Sequence, residues 1–393
     1  MLRLFLAMAL TAALAPLNIL RAQGCGTRPP TPSQYAYARD VVSQIDVQQL
    51  RNAGTTCIPL QAHIVRRTNG TGGLSMQDLN IGLSYLNHYY LPAGIEFFWK
   101  GSPDVANNDD YFDFDQTAPD SDVENTLVGL FTTATNAVNV YFVDSVTTST
   151  GFVAGGYAYF PANVASSNRM VIRNDQLVGW PTGVFIHEMG HYLNLFHTFE
   201  GTSAGPASAN AENVPRSGVQ ANCSSRGDLL CGTHADPGAN NNLLSGCIYT
   251  GTAMDINGIT YTPPVENPMS YWDADCGDTF TGDQYTRIMQ GLITRLGHNT
   301  YSLNAAAQSV LAASGLTATL NVNVVQLNWA DNAANDLGYL IERSTTSASS
   351  GFVQLNRGAT AASATGFTDT DVQSNTTYWY RVKATNGDCN TYS

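Results

Sequence analysis

Charge is scarce in this sequence. Only 12% of its 393 residues are charged, and 18 Lys and Arg face 31 Asp and Glu, a net charge of −13. Without a basic surplus there is no electrostatic footprint for a nucleic acid, and no such partner is expected. Long apolar runs are also lacking. Beyond the N-terminus no stretch is long enough to span a bilayer, so no stable membrane insertion is expected. The N-terminal run "MLRLFLAMALTAALAPLNIL" carries one early Arg and is interrupted by Pro16. It is too short and too broken for a permanent span and reads as a signal peptide, residues 1–22, cleaved after Ala22. The mature chain is expected to be secreted, soluble and monomeric.

Cysteine is present in an odd number, seven, which in a secreted chain implies disulfides with one thiol left over. Cys223, Cys231, Cys247 and Cys276 cluster and allow three pairings. Cys25 and Cys57 flank an N-terminal segment, and Cys389 stands almost at the end.

After the signal the chain divides in three. Residues 23–57 begin Pro-rich ("CGTRPPTPSQ") and continue weakly helical, with too few large apolar residues for a core; they suit a pro-segment lying across something else. Residues 58–300 alternate strands ("CIPLQAHIVRR", "IEFFW", "AVNVYFV", "GGYAYF", "RMVIR") with helical runs ("SMQDLNIGLSYLNHYY", "TFTGDQYTRIMQGLITRL"), an α/β or α+β pattern. Thr281 and Gln284 stand at capping-box spacing. After a linker at 301–312, residues 313–393 read as short alternating strands with turn residues between them, a β-sandwich pattern. The order Trp329, Tyr339, "YWYRV" resembles a fibronectin type III module. Tyr378 falls where that fold places its tyrosine corner, and the last strand of such a module would still be due at "CNTYS".

What the sequence does have is "VFIHEMGHYLNLFHTFEG". Histidine totals seven, and three fall within the eleven positions from His187 to His197. His187 and His191, four apart, share one face of a helix running from Pro181 onward, the geometry a single zinc needs. Glu188 follows the first His and reaches a water beside the metal rather than the metal itself, the position of a general base. His197 lies too far round to join that face on a continued helix. The chain must turn sharply at Asn194, a residue that tolerates the left-handed region better than any other except glycine.

These residues resemble the metzincin metallopeptidases, whose motif is HExxHxxGxxH followed by a methionine turn; Asn194 stands where the motif has glycine. Within that group, "HEMGHYLNLFHTFEG", "GDLLCGTHADP", "NPMSYWDADC" and "FTGDQ" in this order resemble the pappalysin family, over roughly residues 58–298. The resemblance implies a metzincin-like catalytic unit with a twisted mixed sheet and an active-site helix. It implies zinc on His187, His191 and His197, and Met269 as a hydrophobic floor. It also implies that Tyr271 assists catalysis near the metal, and that Cys223–Cys247 and Cys231–Cys276 pair, interleaved. In relatives the loop at "CGTHADP" helps hold calcium. Here Gly232, Thr233 and His234 replace the usual Asp-Thr-Pro, leaving Asp228 and Thr233 as oxygen donors, with a metal-free loop as the alternative. "GCGT" resembles a pro-segment whose thiolate caps the zinc; the competing reading for Cys25 is a disulfide to Cys57. Asp275 resembles the acid that selects a basic side chain after the scissile bond.

The function expected from all this is zinc-dependent hydrolysis of peptide bonds in proteins, possible before Arg or Lys, with an extended substrate pairing on "GGYAYF". A reading from another class is an adhesin or glycan-binding protein on a decayed peptidase fold; the intact Glu188 and Tyr271 weigh against it.

Overall fold

The computed structural model describes residues 24–117, 123–178, 183–272, 276, 279–389 and 391–393. The expected signal peptide, Pro181 and Asp275 lie outside them.

The chain opens with a segment from Gly24 that leads into α1 (Pro32–Asp40), capped by Thr31 in a capping box with Gln34, and α2 (Gln48–Asn52). The first large sheet has β1 (Thr56–Arg66), β2 (Ile95–Trp99), β3 (Asp104–Asn107), β5 (Val138–Val143), β8 (Gly156–Ala158) and β9 (Arg169–Arg173). Between these come α3 (Met76–Tyr90), α4 (Asp109–Phe112), α5 (Val123–Gly129) and a small side sheet of β4 (Asp113–Asp115), β6 (Ser145–Thr147) and β7 (Val153–Ala154). The strand order is β2-β1-β5-β9-β8, with β3 pairing the far half of β1. All pairings are parallel except β8 with β9, so the sheet is mixed and β8 is an antiparallel edge.

Every residue of β5, "VNVYFV", is buried, as expected of a strand covered on both faces. Alternation sorts its side chains. Val140 and Phe142 join the cluster under α3 and α7 (Val184–Tyr192). Tyr141 and Val143 join Phe114, Leu127 and Val171 on the opposite face. Each such large side chain removed from water contributes roughly 1.5–3 kcal/mol. The first unit is completed by α6 (Asp175–Val178), a long loop region with the hairpin β10 (Leu244–Ser245) and β11 (Ile248–Tyr249), and α8 (Gly282–Leu296). The capping box of Thr281 and Gln284 starts α8, as its spacing predicts.

The C-terminal unit is two antiparallel sheets around one core. The first is β12 (Ser314–Asn321), β13 (Val324–Ala330) and β16 (Gly366–Asp369); the second is β15 (Val353–Ala359), β14 (Tyr339–Ser344) and β17 (Trp379–Ala384). Trp329, Leu327, Tyr339, Ile341 and Val382 fill the space between. The stretch "LNVNVVQLNWA" is broken by a hairpin turn, with positive φ at Val322 and Asn323. The Tyr378 hydroxyl accepts a hydrogen bond from the Gln373 amide at 2.8 Å, bracing the approach to β17.

The two units share a seam. α3 is buried on most sides because one face covers the large sheet and another receives β14 and β15. Asn80 donates from Nδ2 to the carbonyls of Leu337 (2.7 Å) and Thr360 (2.8 Å), while its Oδ1 accepts from the Trp99 indole at 3.1 Å. A disulfide joins Cys57, on β1, to Cys389.

The cysteine pairing differs from the expected interleaved one. The bonds are Cys223–Cys231 and Cys247–Cys276, with Cα separations of 5.0 and 5.3 Å, inside the range a disulfide spans. The reason is local. Gly227 and Leu229 both take positive φ, and this tight turn folds Cys231 back onto Cys223. Cys25 is free, so the Cys25–Cys57 alternative is overturned as well.

Candidate metal centre and active site

The buried helix α7 presents His187 and His191 one turn apart, with ring centroids 4.7 Å from each other. It ends where Asn194 takes φ 71°, and the Leu195 amide donates back to the Gly190 carbonyl at 2.8 Å. That left-handed turn returns His197 to the other two rings; its centroid is 4.5 Å from His191 and 5.2 Å from His187. Gly291 of α8 makes room for the turn, since a Cβ there would collide with the Leu193 carbonyl.

The rings are oriented from outside. His187 Nδ1 bonds the Pro268 carbonyl at 2.7 Å, and His191 Nδ1 bonds the Leu195 carbonyl at 2.8 Å. A carbonyl accepts only, so each Nδ1 carries the proton and each Nε2 presents a lone pair. Burial pushes His187 down to about 4 and drives His191 and His197 well below the usual imidazole value, so all three are neutral at neutral pH. His187 Nε2 is buried with no hydrogen-bond partner, and His191 Nε2 lies 3.1 Å from His197 Nε2. A tetrahedral ion with bonds of about 2.0 Å needs a ligand–ligand edge of about 3.3 Å. The three imidazoles therefore fit a metal ion. Cys25 adds a sulfur, and one ligand atom from each of the four residues lies within 4.8 Å of every other.

Met269 is fully buried against Gly190 of α7, where a Cβ would strike its sulfur. Tyr271 brings its hydroxyl within 3.0 Å of His197 Nε2. Glu188 is fully buried, and burial raises its carboxyl to about 7. Its Oε2 accepts a hydrogen bond from Thr27 Oγ1 at 2.6 Å.

Asp236 is a residue the sequence reading missed. It accepts from Thr198 Oγ1 (2.7 Å), just after His197, and from Ser270 Oγ (2.8 Å), just after Met269, and from the Trp272 indole. One carboxylate thus ties the loop of the third histidine to the methionine turn. Only its place in "HADP" could have signalled it, and nothing local says which loops it joins.

The expected calcium donors Asp228 and Thr233 meet through a hydrogen bond, but among the described residues no group of three His, Cys, Asp or Glu ligands includes them. Asp228 accepts from the Leu230 amide at 2.9 Å and lies beside Arg287, while Arg216 donates to the Thr233 carbonyl at 2.7 Å and to Glu212. Arginines supply the positive charge there. Among the described residues the only group of three or more His, Cys, Asp or Glu placed to hold a metal is Cys25, His187, His191 and His197. No calcium is assigned.

Comparison with known proteins agrees with this geometry. A family model described as pregnancy-associated plasma protein-A, a peptidase family, matches residues 124–293, which include all three histidines, Met269 and Tyr271. An extracellular metalloprotease of Colletotrichum graminicola is 28% identical over 71% of this chain and 94% of its own length. One from Pyricularia oryzae is 25% identical over 67% of this chain and 86% of its own length. A second from C. graminicola is 24% identical over 67% and 88%. The fn3 domain of human collagen alpha-1(XX) chain aligns with 23% of this chain and 83% of its own at 17% identity, with a TM-score of 0.18, too low to assign the C-terminal unit. The match to that peptidase family runs through α7 and the methionine turn, and together with relatives named extracellular metalloproteases it supports a metalloendopeptidase similar to the pappalysins.

Proposed function

We propose that the protein is a secreted, zinc-dependent endopeptidase with a metzincin-like catalytic unit at 58–300, made latent by residues 23–57. The observation that carries the reading is the convergence of the three imidazoles beside a buried Glu188. Secretion is supported by relatives named extracellular metalloproteases, and by the absence, among the described residues, of any helix long and apolar enough to cross a membrane.

His187, His191 and His197 would hold the zinc, which when bound supplies Lewis acidity next to the scissile carbonyl. The chain's own residues do the rest. An extended peptide pairs with the edge of β8, which sets the scissile bond against α7. Glu188, raised to about 7, accepts a proton from the attacking water and passes it to the leaving amine. Tyr271 directs its hydroxyl at the developing oxyanion. Met269 keeps the floor dry and holds α7 in place.

In the unprocessed chain Cys25 would supply the fourth ligand in place of water. A fibronectin type III identity for residues 313–393, with 301–312 as linker, rests on the resemblance drawn from the strand pattern. So does a preference for Arg or Lys after the cut, selected by Asp275 through charge-assisted hydrogen bonds.

Glu188→Ala should lose on the order of 10²–10⁴-fold in peptide hydrolysis while keeping one equivalent of zinc. Near wild-type hydrolysis by that variant would overturn the mechanism. Profiling wild type and Asp275→Ala on a peptide library checks the specificity, which fails if a basic preference survives the substitution.

A further inference from the structure

The N-terminal segment touches the site at a second point. Gly24–Thr27 lies along the open edge of β8, running parallel to it through a bridge between Cys25 and Gly156. The Gly155 amide donates to the Gly24 carbonyl at 2.6 Å, and the Gly26 amide to the Gly156 carbonyl at 2.7 Å. The two glycines permit this close approach, since a Cβ on Gly24 would run into the Phe152 ring and one on Gly26 would stand 3.1 Å from the Gly156 carbonyl. Thr27 then inserts its hydroxyl between β8 and α7. It accepts from the Ala158 amide at 2.8 Å and donates to Glu188 Oε2 at 2.6 Å, and Thr27 itself is buried.

From this we infer that Thr27 is a second lock on the active site, acting on the general base rather than on the metal. The inference rests on the peptidase reading above. Hydrolysis needs an open position on the metal and a free carboxylate on Glu188. Cys25 takes the first. Thr27 engages the second, because its hydroxyl donates to Glu188 Oε2 and competes with the attacking water for the carboxylate. It also uses the Ala158 amide, which a substrate pairing along β8 would need. The two contacts come from residues two apart on one extended segment. Cys25 Sγ accepts from the Thr27 amide at 3.2 Å, so removing the thiol costs that one contact and leaves the hydroxyl and the backbone ladder in place. A hydroxyl donating to a buried carboxylate is a charge-assisted bond, and a net worth of that kind corresponds to roughly a ten- to hundredfold shift in the docked population.

The test uses the full chain with Cys25→Ser alone, Cys25→Ser with Thr27→Val, and Cys25→Ser with Thr27→Ser. Peptide hydrolysis by the intact chain is read together with hydrogen exchange at the Ala158 amide. Thr27→Val keeps the shape and removes the hydroxyl; Thr27→Ser keeps the hydroxyl. The expected result is that the Val double variant exceeds Cys25→Ser by roughly ten- to hundredfold in rate, with faster exchange at Ala158, while the Ser double variant matches Cys25→Ser. If Cys25→Ser alone is as active as the Val double variant, or if exchange at Ala158 is unchanged, the second lock does not exist. Limited proteolysis that removes the segment should yield the same active product from every variant. If that product hydrolyses nothing, the peptidase reading fails instead.

Discussion

Lys383, on the last strand of the sandwich, is buried against Glu96 of β2, although 287 positions separate them in the chain. Its ammonium also meets Glu342 Oε1 at 2.8 Å. Burial alone would lower the Lys383 value, but Glu96 and Glu342 outweigh it and hold the ammonium charged. Burial lifts Glu96 to about 7 against the pull of Lys383. With both side chains almost fully buried, the seam between the units has the character of a core. Lys383→Met should therefore cost about 3–5 kcal/mol, since it strands the buried Glu96 carboxylate and leaves Glu342 to Arg381 alone. Adding Glu96→Gln should recover part of that loss. Urea unfolding of the single and double variants checks this, and a single variant as stable as wild type would show that the seam does not depend on the pair.

Stability should fall as pH rises from about 4, the unfolded carboxylate range, to about 7, and more gently from there to about 9, where Glu212 alone still acts. Burial raises Glu96, Glu200 and Asp228 to about 7 and Glu212 to about 9, all above their unfolded values. The folded chain therefore holds protons that the unfolded chain releases. Their contribution is fully present below the unfolded carboxylate values and is lost as pH climbs through the folded ones. The net charge of −13 acts in the same direction. Thermal melts of the zinc-loaded protein at pH 6 and pH 9 decide the matter, and a flat or rising melting temperature would contradict it.

The turn that returns His197 should respond to both of its sides. Asn194→Gly should be close to neutral, because glycine takes a φ of 71° without strain, whereas Asn194→Val should destabilise by about 1–2 kcal/mol. Gly291→Ala, from the α8 side, should push the Leu193 carbonyl and weaken zinc binding although it touches no ligand. Chelator competition measures zinc retention, and unchanged retention in Gly291→Ala would mean the turn yields without disturbing His197.

Asp236→Ala should weaken zinc by on the order of 10–100-fold by freeing Thr198 and Ser270 from a common acceptor. Asp236→Asn, which keeps one acceptor oxygen, should lose less. The rate of zinc transfer to a chromogenic chelator is the readout. Equal loss in the two variants would point to general loosening instead.

The sequence by itself determined what backbone geometry carries over short distances. Four residues of helix put His187 and His191 on one face whatever surrounds them. Asn194 marks a helix end because few other residues accept positive φ, and Thr281 with Gln284 starts α8 through bonds made within three residues. The strands of the large sheet are legible because alternation and β-branched content hold along each segment. Only the tertiary structure decided which distant groups meet. The path of a loop depends on turns such as Gly227 and Leu229, where a leucine takes positive φ, and that path made Cys223 the partner of Cys231 instead of Cys247. Thr27 meets Glu188 across 161 positions, and Asp236 meets Thr198 and Ser270, because α7 and β8 are packed together by a core that no single segment encodes. Local rules fix the direction in which a side chain leaves its element; where that direction ends is set by the burial of all the others.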